Sequence, residues 1–334
     1  MANGIFRKVT LGISKEAGYG TVSGTTSTYV MPNVELAFTE NIVKIKNTAM
    51  LGSTYGVDNI KNGLRFVDFT MKMKVDEDIL PLLLLQKFTN STSTVSGETT
   101  VYRHELSYSN NNVASSGQSF GLFWDDPDRS DMRVAGARFG SINLSMEAGD
   151  VIYAEITGRG IYPTYTGVTN TISGVARDFV SRGVEFSMGD YDGSFTETNL
   201  LSATFNHEFG LSEQADNFYL GDYDMSNLFT LEDMFSAELK THMPDLTIKN
   251  NWEDNDKLKS KVIMTDTTRF VSTSVASTNP SIQIDYPAQF ITAWAREGGA
   301  SDIVKQNFTM ECVDDPAIAT APIKFTIVNS VASY

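Results

Sequence analysis

Cysteine is almost missing from this chain. Cys312 is the only one in 334 residues, so no intrachain disulfide can form and a cysteine-rich zinc site is excluded. Histidine is nearly as scarce: His104, His207 and His242 leave little for histidine-based metal sites. No long apolar run exists, because the longest, Ile79–Leu85, falls far short of the roughly 20 residues a membrane helix needs. Positive charge is also short. Lys plus Arg is 26 against 41 Asp plus Glu, a net charge of −15, which argues against any affinity for nucleic acid built on phosphate neutralisation. Residues 1–7 contain no apolar signal-peptide core, so the expected starting point is the cytoplasm.

What is present is a globular balance: 41% apolar and 20% charged residues, enough for a sizeable core in one large domain or two of about 150–170 residues. The charge is uneven. Residues 1–163 carry 15 basic and 17 acidic side chains, a net of −2, whereas residues 164–334 carry 11 and 24, a net of −13. A Thr/Gly/Pro/Ser-rich stretch, Tyr162–Gly174, separates them, so two domains, 1–163 and 164–334, are expected.

Short strands dominate the pattern. In Leu64–Val75 the residues Val67, Phe69, Met71, Met73 and Val75 alternate with Asp68, Thr70, Lys72 and Lys74; Arg65 is the exception on the apolar side. Further strands are expected at Thr100–Tyr108, Gln118–Trp124, Met132–Phe139, Ser141–Met146 and Asp150–Gly158, with residues 147–150 turning a hairpin between the last two. Two helices are expected. One is Asp76–Phe88, with acids in its first turn; the other is Thr230–His242, with an approximate capping box of Thr230 and Asp233. A loop, strand, acidic cap and helix followed by a hairpin recur in both halves, the hairpins being Ser141–Thr157 and Phe290–Thr309, and this order suggests an internal duplication.

Signals for chemistry fail on inspection. Gly18, Gly20 and Gly24 have the wrong spacing for a dinucleotide loop and read as a flexible arm. His207-Glu208 lacks the second zincin histidine and reads as a sheet-surface site. Asp190-Tyr-Asp192 and Asp222-Tyr-Asp224 resemble calcium loops, but counting from Asp190 an EF-hand glycine would fall on Phe195 and its glutamate on Leu201. Both read as acidic turns. Cys312 reads as a buried small hydrophobe, and no nucleophile with an adjacent base is visible. No catalytic, metal or cofactor residue is assigned.

Several blocks resemble the tail tube proteins of long-tailed bacteriophages. Leu11–Thr21 followed by Tyr29–Pro32 resembles that family's opening arm, and Leu51–Val57 with Asn62–Phe88 the next block. Arg133–Gly158 resembles its Gly-turned strand pair, and Ile284–Asn329 its ending. The order of the blocks carries the resemblance, which thins between about 168 and 255; Asp216–Leu228 departs from the pattern. The resemblance implies a mainly β fold of two tandem tail-tube-like β-sandwich or β-barrel halves, each with one short helix. It implies a structural subunit, not an enzyme, stacking as rings into a conduit for genome ejection. Such a protein would sit in the virion tail after assembly in the host cytoplasm. Its partners would be itself, the tape measure protein, the tail terminator and distal tail proteins, with DNA passing through unbound.

A tube or baseplate ring of another contractile-injection apparatus and a carbohydrate-acting β-sandwich using Trp124, Trp252 or Trp294 remain alternatives. Under the tube reading, Asn47, Met50, Leu51, Tyr55 and Asp58 are expected in an inter-ring loop, together with the arm Ala2–Thr28. Asp190, Asp192, Asp222 and Asp224 are expected to line the lumen. A duplicated chain implies homotrimeric, pseudo-hexameric rings; a single tube domain with a decoration implies hexamers.

Overall fold

The computed structural model describes residues 9–22, 24–47, 59–108, 118–171, 178–212, 217–220, 222–271, 278–298, 303–315 and 321–334. The first half of the chain contributes β1 (Thr10–Lys15), β2 (Tyr29–Met31), β3 (Asn33–Asn47), β4 (Asn59–Lys74), α1 (Leu80–Leu84), β5 (Phe88–Thr94), β6 (Tyr102–Tyr108), β7 (Phe120–Asp125), β8 (Met132–Glu147), β9 (Tyr153–Ile161) and β10 (Thr164–Tyr165). The second contributes β11 (Val184–Asp190), β12 (Thr196–Glu197), β13 (Leu200–Leu211), β14 (Thr230–His242), α2 (Thr247–Glu253), β15 (Leu258–Thr265), β16 (Ser281–Glu297), β17 (Lys305–Cys312) and β18 (Lys324–Asn329).

Period-two patterning builds these strands. Val67, Phe69, Met71 and Met73 of β4 are buried while Thr70 is exposed, as the alternation dictates. The same rule corrects the expected second helix. Residues 230–242 form strand β14, because Phe235, Ala237, Leu239 and Thr241 are buried and the intervening Ser236, Glu238 and Lys240 face outward. The Thr230/Asp233 capping signal was a coincidence of spacing, and the helix of this half, α2, begins five residues after β14 ends. The first expected helix shrinks to Leu80–Leu84. Its acids precede it in a buried turn, where the Asp76 carboxylate accepts the backbone N–H groups of Asp78 and Ile79 at 2.7 and 3.2 Å. All five residues of α1 are buried, so it is a core plug.

The pairings are those of one framework used twice. In the first half β1 pairs with β2 and β7, β3 with β4, β4 with β9, and β8 with β7, β9 and β10. In the second, β11 pairs with β12 and β15, β13 with β14, β14 with β17, and β16 with β15, β17 and β18. Each of these pairings in one half has its counterpart in the other. The register shifts coincide too: Asn33/Glu35 and Ile42/Lys44 of β3 correspond to Leu200/Ser202 and Phe209/Leu211 of β13. Phe139/Ser141 of β8 corresponds to Ile291/Ala293 of β16. Bulges that recur at the same framework positions in both halves belong to the framework rather than to local strain. The β5–β6 hairpin has no counterpart and is an insertion in the first half.

Two strands join the copies. β8 pairs with β13, from Glu208↔Ser141 to Ser202↔Glu147, and β18 pairs with β6. The first junction creates a continuous antiparallel sheet of eight strands in the order β3-β4-β9-β8-β13-β14-β17-β16. The N-terminal parts of β8 and β16 leave it at their bulges and pair with β7 and β10, or with β15 and β18. The core fills the space between, and it is one cluster running through both halves. Phe88 of the first half packs on Phe209, Phe235 and Phe325 of the second, with ring centroids 5.3–6.4 Å apart. Val168–Asn170 still belong to the first half, since the Asn170 side chain donates to the carbonyls of Thr10 and Phe123. The crossing to the second half therefore starts after Asn170, a few residues beyond the expected 163/164 boundary.

Candidate functional site

The eight-stranded sheet presents its buried face to the core and its other face to solvent. Cross-strand register fixes the membership of that polar face, because residues directly opposite one another share a side of the sheet. One row runs Glu35, Lys72, Glu155, Asn143, Asn206, Ser236 and Glu311 through successive strands. The rows on either side supply Ser, Thr, Asn and Ala, among them Thr70, Thr157, Ser145, Thr204 and Ala295. The face carries eight carboxylates (Glu35, Asp68, Glu147, Glu155, Glu208, Glu238, Glu297, Glu311) against five cations (Lys72, Lys74, Arg159, Lys240, Lys305), a net of −3. Four of the cations are held by neighbours: Lys72 by Glu155 at 2.9 Å, Lys74 by Asp178 at 2.9 Å, Arg159 by Asp68 at 2.7 Å and Lys240 by Glu297 at 2.5 Å. Sequence reading missed this surface. Its acids are spread one per strand and form no cluster along the chain.

The four expected lumen acids lie elsewhere. Asp190 and Asp192 are exposed at the end of β11, which pairs with β15 and β12. Asp222 accepts the Ser226 hydroxyl at 2.6 Å, and Asp224 forms a 2.8 Å ion pair with Arg65 of β4. The two acidic turns thus sit against strands that share no pairing, and none of the four carboxylates lies in the polar rows of the eight-stranded sheet. Of the stretch 216–228, which the resemblance left unmapped, Asn217, Met225 and Leu228 are buried.

Both ends of the sheet are open among the described residues. β3 pairs only with β4, and Ile291–Glu297 of β16 only with β17. Beyond the window of eight strands, β3 and β4 continue as a protruding ribbon, Lys44–Asn47 against Asn59–Asn62. It exposes Val43, Ile45 and Ile60, with Ile45 57% accessible, interleaved with Lys44, Lys46 and Lys61. Of the expected inter-ring residues, Asn47 ends the β3 arm of this ribbon; Met50, Leu51, Tyr55 and Asp58 lie outside the described residues. The expected N-terminal arm is shorter than 2–28, because Thr10–Lys15 is an internal strand between β2 and β7.

His207 is no surface residue. It is fully buried at the β8–β13 junction, where Nδ1 meets the Ile142 carbonyl at 2.9 Å and Nε2 meets the Tyr286 hydroxyl at 3.1 Å. A carbonyl only accepts, so Nδ1 carries the proton and Nε2 accepts from Tyr286. Burial pushes its pKa down to about 4. Cys312 packs at the margin of the core, and burial raises its thiol to about 12. Trp252 and Trp294 stack on each other with centroids 6.0 Å apart, Trp294 donates to Gln306, and Trp124 packs edge-on against Phe38.

A cleft of about 620 Å³ lies among β11, β12, the end of β14 and α2, with His242 and Asp245 in its lining. Among the described residues no three His, Cys, Asp or Glu side chains come together to hold a metal ion, and no helix is long and apolar enough to cross a membrane. No protein-family model matches the chain, and a search of curated proteins returns no match.

Proposed function

We propose that the chain is the structural subunit of a bacteriophage tail tube, three copies closing into a pseudo-hexameric ring and rings stacking into a conduit for DNA. The observation that carries this reading is the eight-stranded sheet. It is two units of four strands with the same pairings joined edge to edge, with both outer edges unpaired among the described residues and one face largely open to solvent. Unpaired edges of this length invite further strands, and a barrel is the arrangement that leaves no edge. Three such sheets would close a barrel of six equivalent units. The core and the outer sheets occupy one side of the wall, so the polar face would be the one turned to the lumen.

A lumen surface of short hydroxyl and amide side chains with a net negative charge suits a duplex that must slide without sticking. It repels phosphate, and most of its cations are already engaged by carboxylates. The ribbon of Val43, Ile45 and Ile60 with its lysines supplies an apolar patch for the neighbouring ring. The second half can be strongly acidic and the first nearly neutral because within one chain the two units need not be interchangeable. End-on electron micrographs of the assembled protein, with native mass spectrometry of single rings, test the reading. Three chains per ring with six-fold-like density are expected. Six chains per ring, or a chain that stays monomeric under all assembly conditions, would overturn it.

A further inference from the structure

The internal junction between the two copies states in advance how the open edges should meet. By the matched register shifts, β13 is the counterpart of β3, with Ala203 corresponding to Leu36 and Glu208 to Asn41. Likewise β8 is the counterpart of β16, with Ser141 corresponding to Ala293 and Met146 to Gly298. Inside the chain β8 lies antiparallel on β13, with Asn206 opposite Asn143 and Phe205 opposite Leu144. We propose that β16 of one copy adds to β3 of a second copy of this chain in that same register, from Leu36 opposite Gly298 to Asn41 opposite Ala293. Thr39 then faces Ala295 and Phe38 faces Arg296. The proposal deepens the ring reading and rests on it.

Burial differences between the copies fit a missing strand. Phe205 is fully buried, whereas its counterpart Phe38 is only partly buried. Ile142 is fully buried, whereas its counterpart Trp294 is only partly so. In both cases the better-buried residue belongs to the strand that already has a neighbour. Edge chemistry is complementary as well. In the proposed register Arg296, exposed in the single chain, lies opposite the Phe38 ring and diagonal to Glu40 on the same side of the sheet. A guanidinium over an aromatic face and beside a carboxylate is favourable at both contacts. The internal junction spends the same positions on Leu144, Phe205 and His207, all fully buried. A junction that forms inside one chain can be apolar from the start; one that must stay soluble until a partner arrives is better made with charge.

Disulfide capture reads the register directly. Opposed residues in an antiparallel pair bring Cβ atoms about 4.5–5.5 Å apart, and diagonal ones about 7–8 Å. A disulfide needs about 3.5–4.5 Å, so only the opposed pair is within easy adjustment. In a Cys312→Ala background, the chain with Thr39→Cys and Ala295→Cys should give, on oxidation, a ladder ending in a closed covalent trimer. The chain with Thr39→Cys and Ala293→Cys should remain unlinked. Mixing a Thr39→Cys chain with an Ala295→Cys chain should give covalent dimers only, which establishes that the link is between copies.

If rings form and the Thr39/Ala293 pair links while Thr39/Ala295 does not, the register is wrong and the ring reading stands. If Thr39/Ala295 links in open-ended filaments that never close, the edge pairing stands and the ring reading falls. If neither pair links and no ring forms in the unsubstituted protein, both fall.

Discussion

Leu144 and Phe205 meet across the junction inside the chain, and both are fully buried; the residues at the same framework positions on the open edges are Arg296 and Phe38. A similar divergence occurs deeper in the molecule. Asp233 of β14 and Arg65 of β4 are counterparts, so one position holds opposite charges in the two copies. Each takes its partner from the other half. Asp233 pairs with Lys87 at 2.9 Å, with side chains 2% and 6% exposed, and also accepts the Tyr108 hydroxyl at 2.7 Å. Arg65 pairs with Asp224 at 2.8 Å near the surface. The two halves share their backbone pairing to the residue, bulges included, while the side chains at the contacts between them differ. Pairing geometry is a constraint of the sheet; side-chain identity is set by whether water or protein lies across the contact.

The charge pair is where breaking that comparison should cost most. Lys87→Met leaves the Asp233 carboxylate buried without its cation and should lower unfolding free energy by about 3–5 kcal/mol. Asp224→Asn, at the corresponding half-exposed pair, should change it by less than about 1 kcal/mol. Urea unfolding of both variants checks this. Equal losses would mean that the two pairs are alike in burial and that the halves have not diverged in the way described.

His207 marks a second difference, with an effect set by pH. Its counterpart on the open edge is Glu40, which accepts the hydroxyls of Tyr162 and Tyr165. The folded His207 has a pKa of about 4 against 6.5 for an ordinary histidine, so the unfolded chain takes up a proton first as pH falls. Stability contributed by the neutral ring is therefore complete above pH 6.5 and is lost progressively down to pH 4, by about 3 kcal/mol in total. Unfolding free energies of the unsubstituted protein and of His207→Gln across this range should differ in slope by that amount. Parallel curves would show that the ring titrates normally and is not sealed in the junction.

The repeated strand order was legible in the sequence at the hairpins, where Thr157 and Thr309 occupy equivalent positions in β9 and β17. It was misread at the helices. Residues 230–242 carry helix-like capping residues and few β-branched ones, yet period-two burial between β13 and β17 overrides local propensity. The buried state of His207 was illegible because the shielding comes from Ile142, Tyr286 and Phe325, between 65 and 118 residues away along the chain. The acidic surface escaped for the opposite reason: clustered acids in turns draw the eye, whereas a sheet assembles its face from every second residue of distant strands.

A smaller effect sharpens the comparison at one core position. Phe69 of β4 lies opposite Gly158 of β9, and their counterparts are Ala237 and Met310, so the bulk has changed strands. A Cβ added at Gly158 would come within 2.3 Å of the Phe69 ring and 2.5 Å of the Arg138 carbonyl. Gly158→Ala should therefore destabilise by about 1–3 kcal/mol, while Met310→Leu in the other copy, which keeps volume, should cost less than about 1.5 kcal/mol. Thermal unfolding measures both. A harmless Gly158→Ala would imply that β4 and β9 can separate locally, against the shared register of the halves.

The smallest expected effect on stability carries the most functional information. Glu155→Gln, Glu238→Gln and Glu311→Gln together remove three charges from the polar face of the eight-stranded sheet. All three side chains are exposed, so the combined change in unfolding free energy should stay within about 1 kcal/mol. The net charge of that face, however, moves from −3 to 0. If the face lines the lumen, DNA passage through tubes of this variant should slow at low salt. The difference should shrink near 0.3 M salt, where the Debye length is below about 8 Å. Asp190→Asn with Asp192→Asn removes two exposed charges from β11 and the turn after it and should leave passage unchanged. The reverse outcome, a salt-sensitive delay from the Asp190/Asp192 variant and none from the sheet variant, would turn the sheet around, with its polar face on the outside of the tube. The Asp190 and Asp222 turns would then be the lining, and the open side of the wall would need an outer partner to explain why most of its cations are already paired.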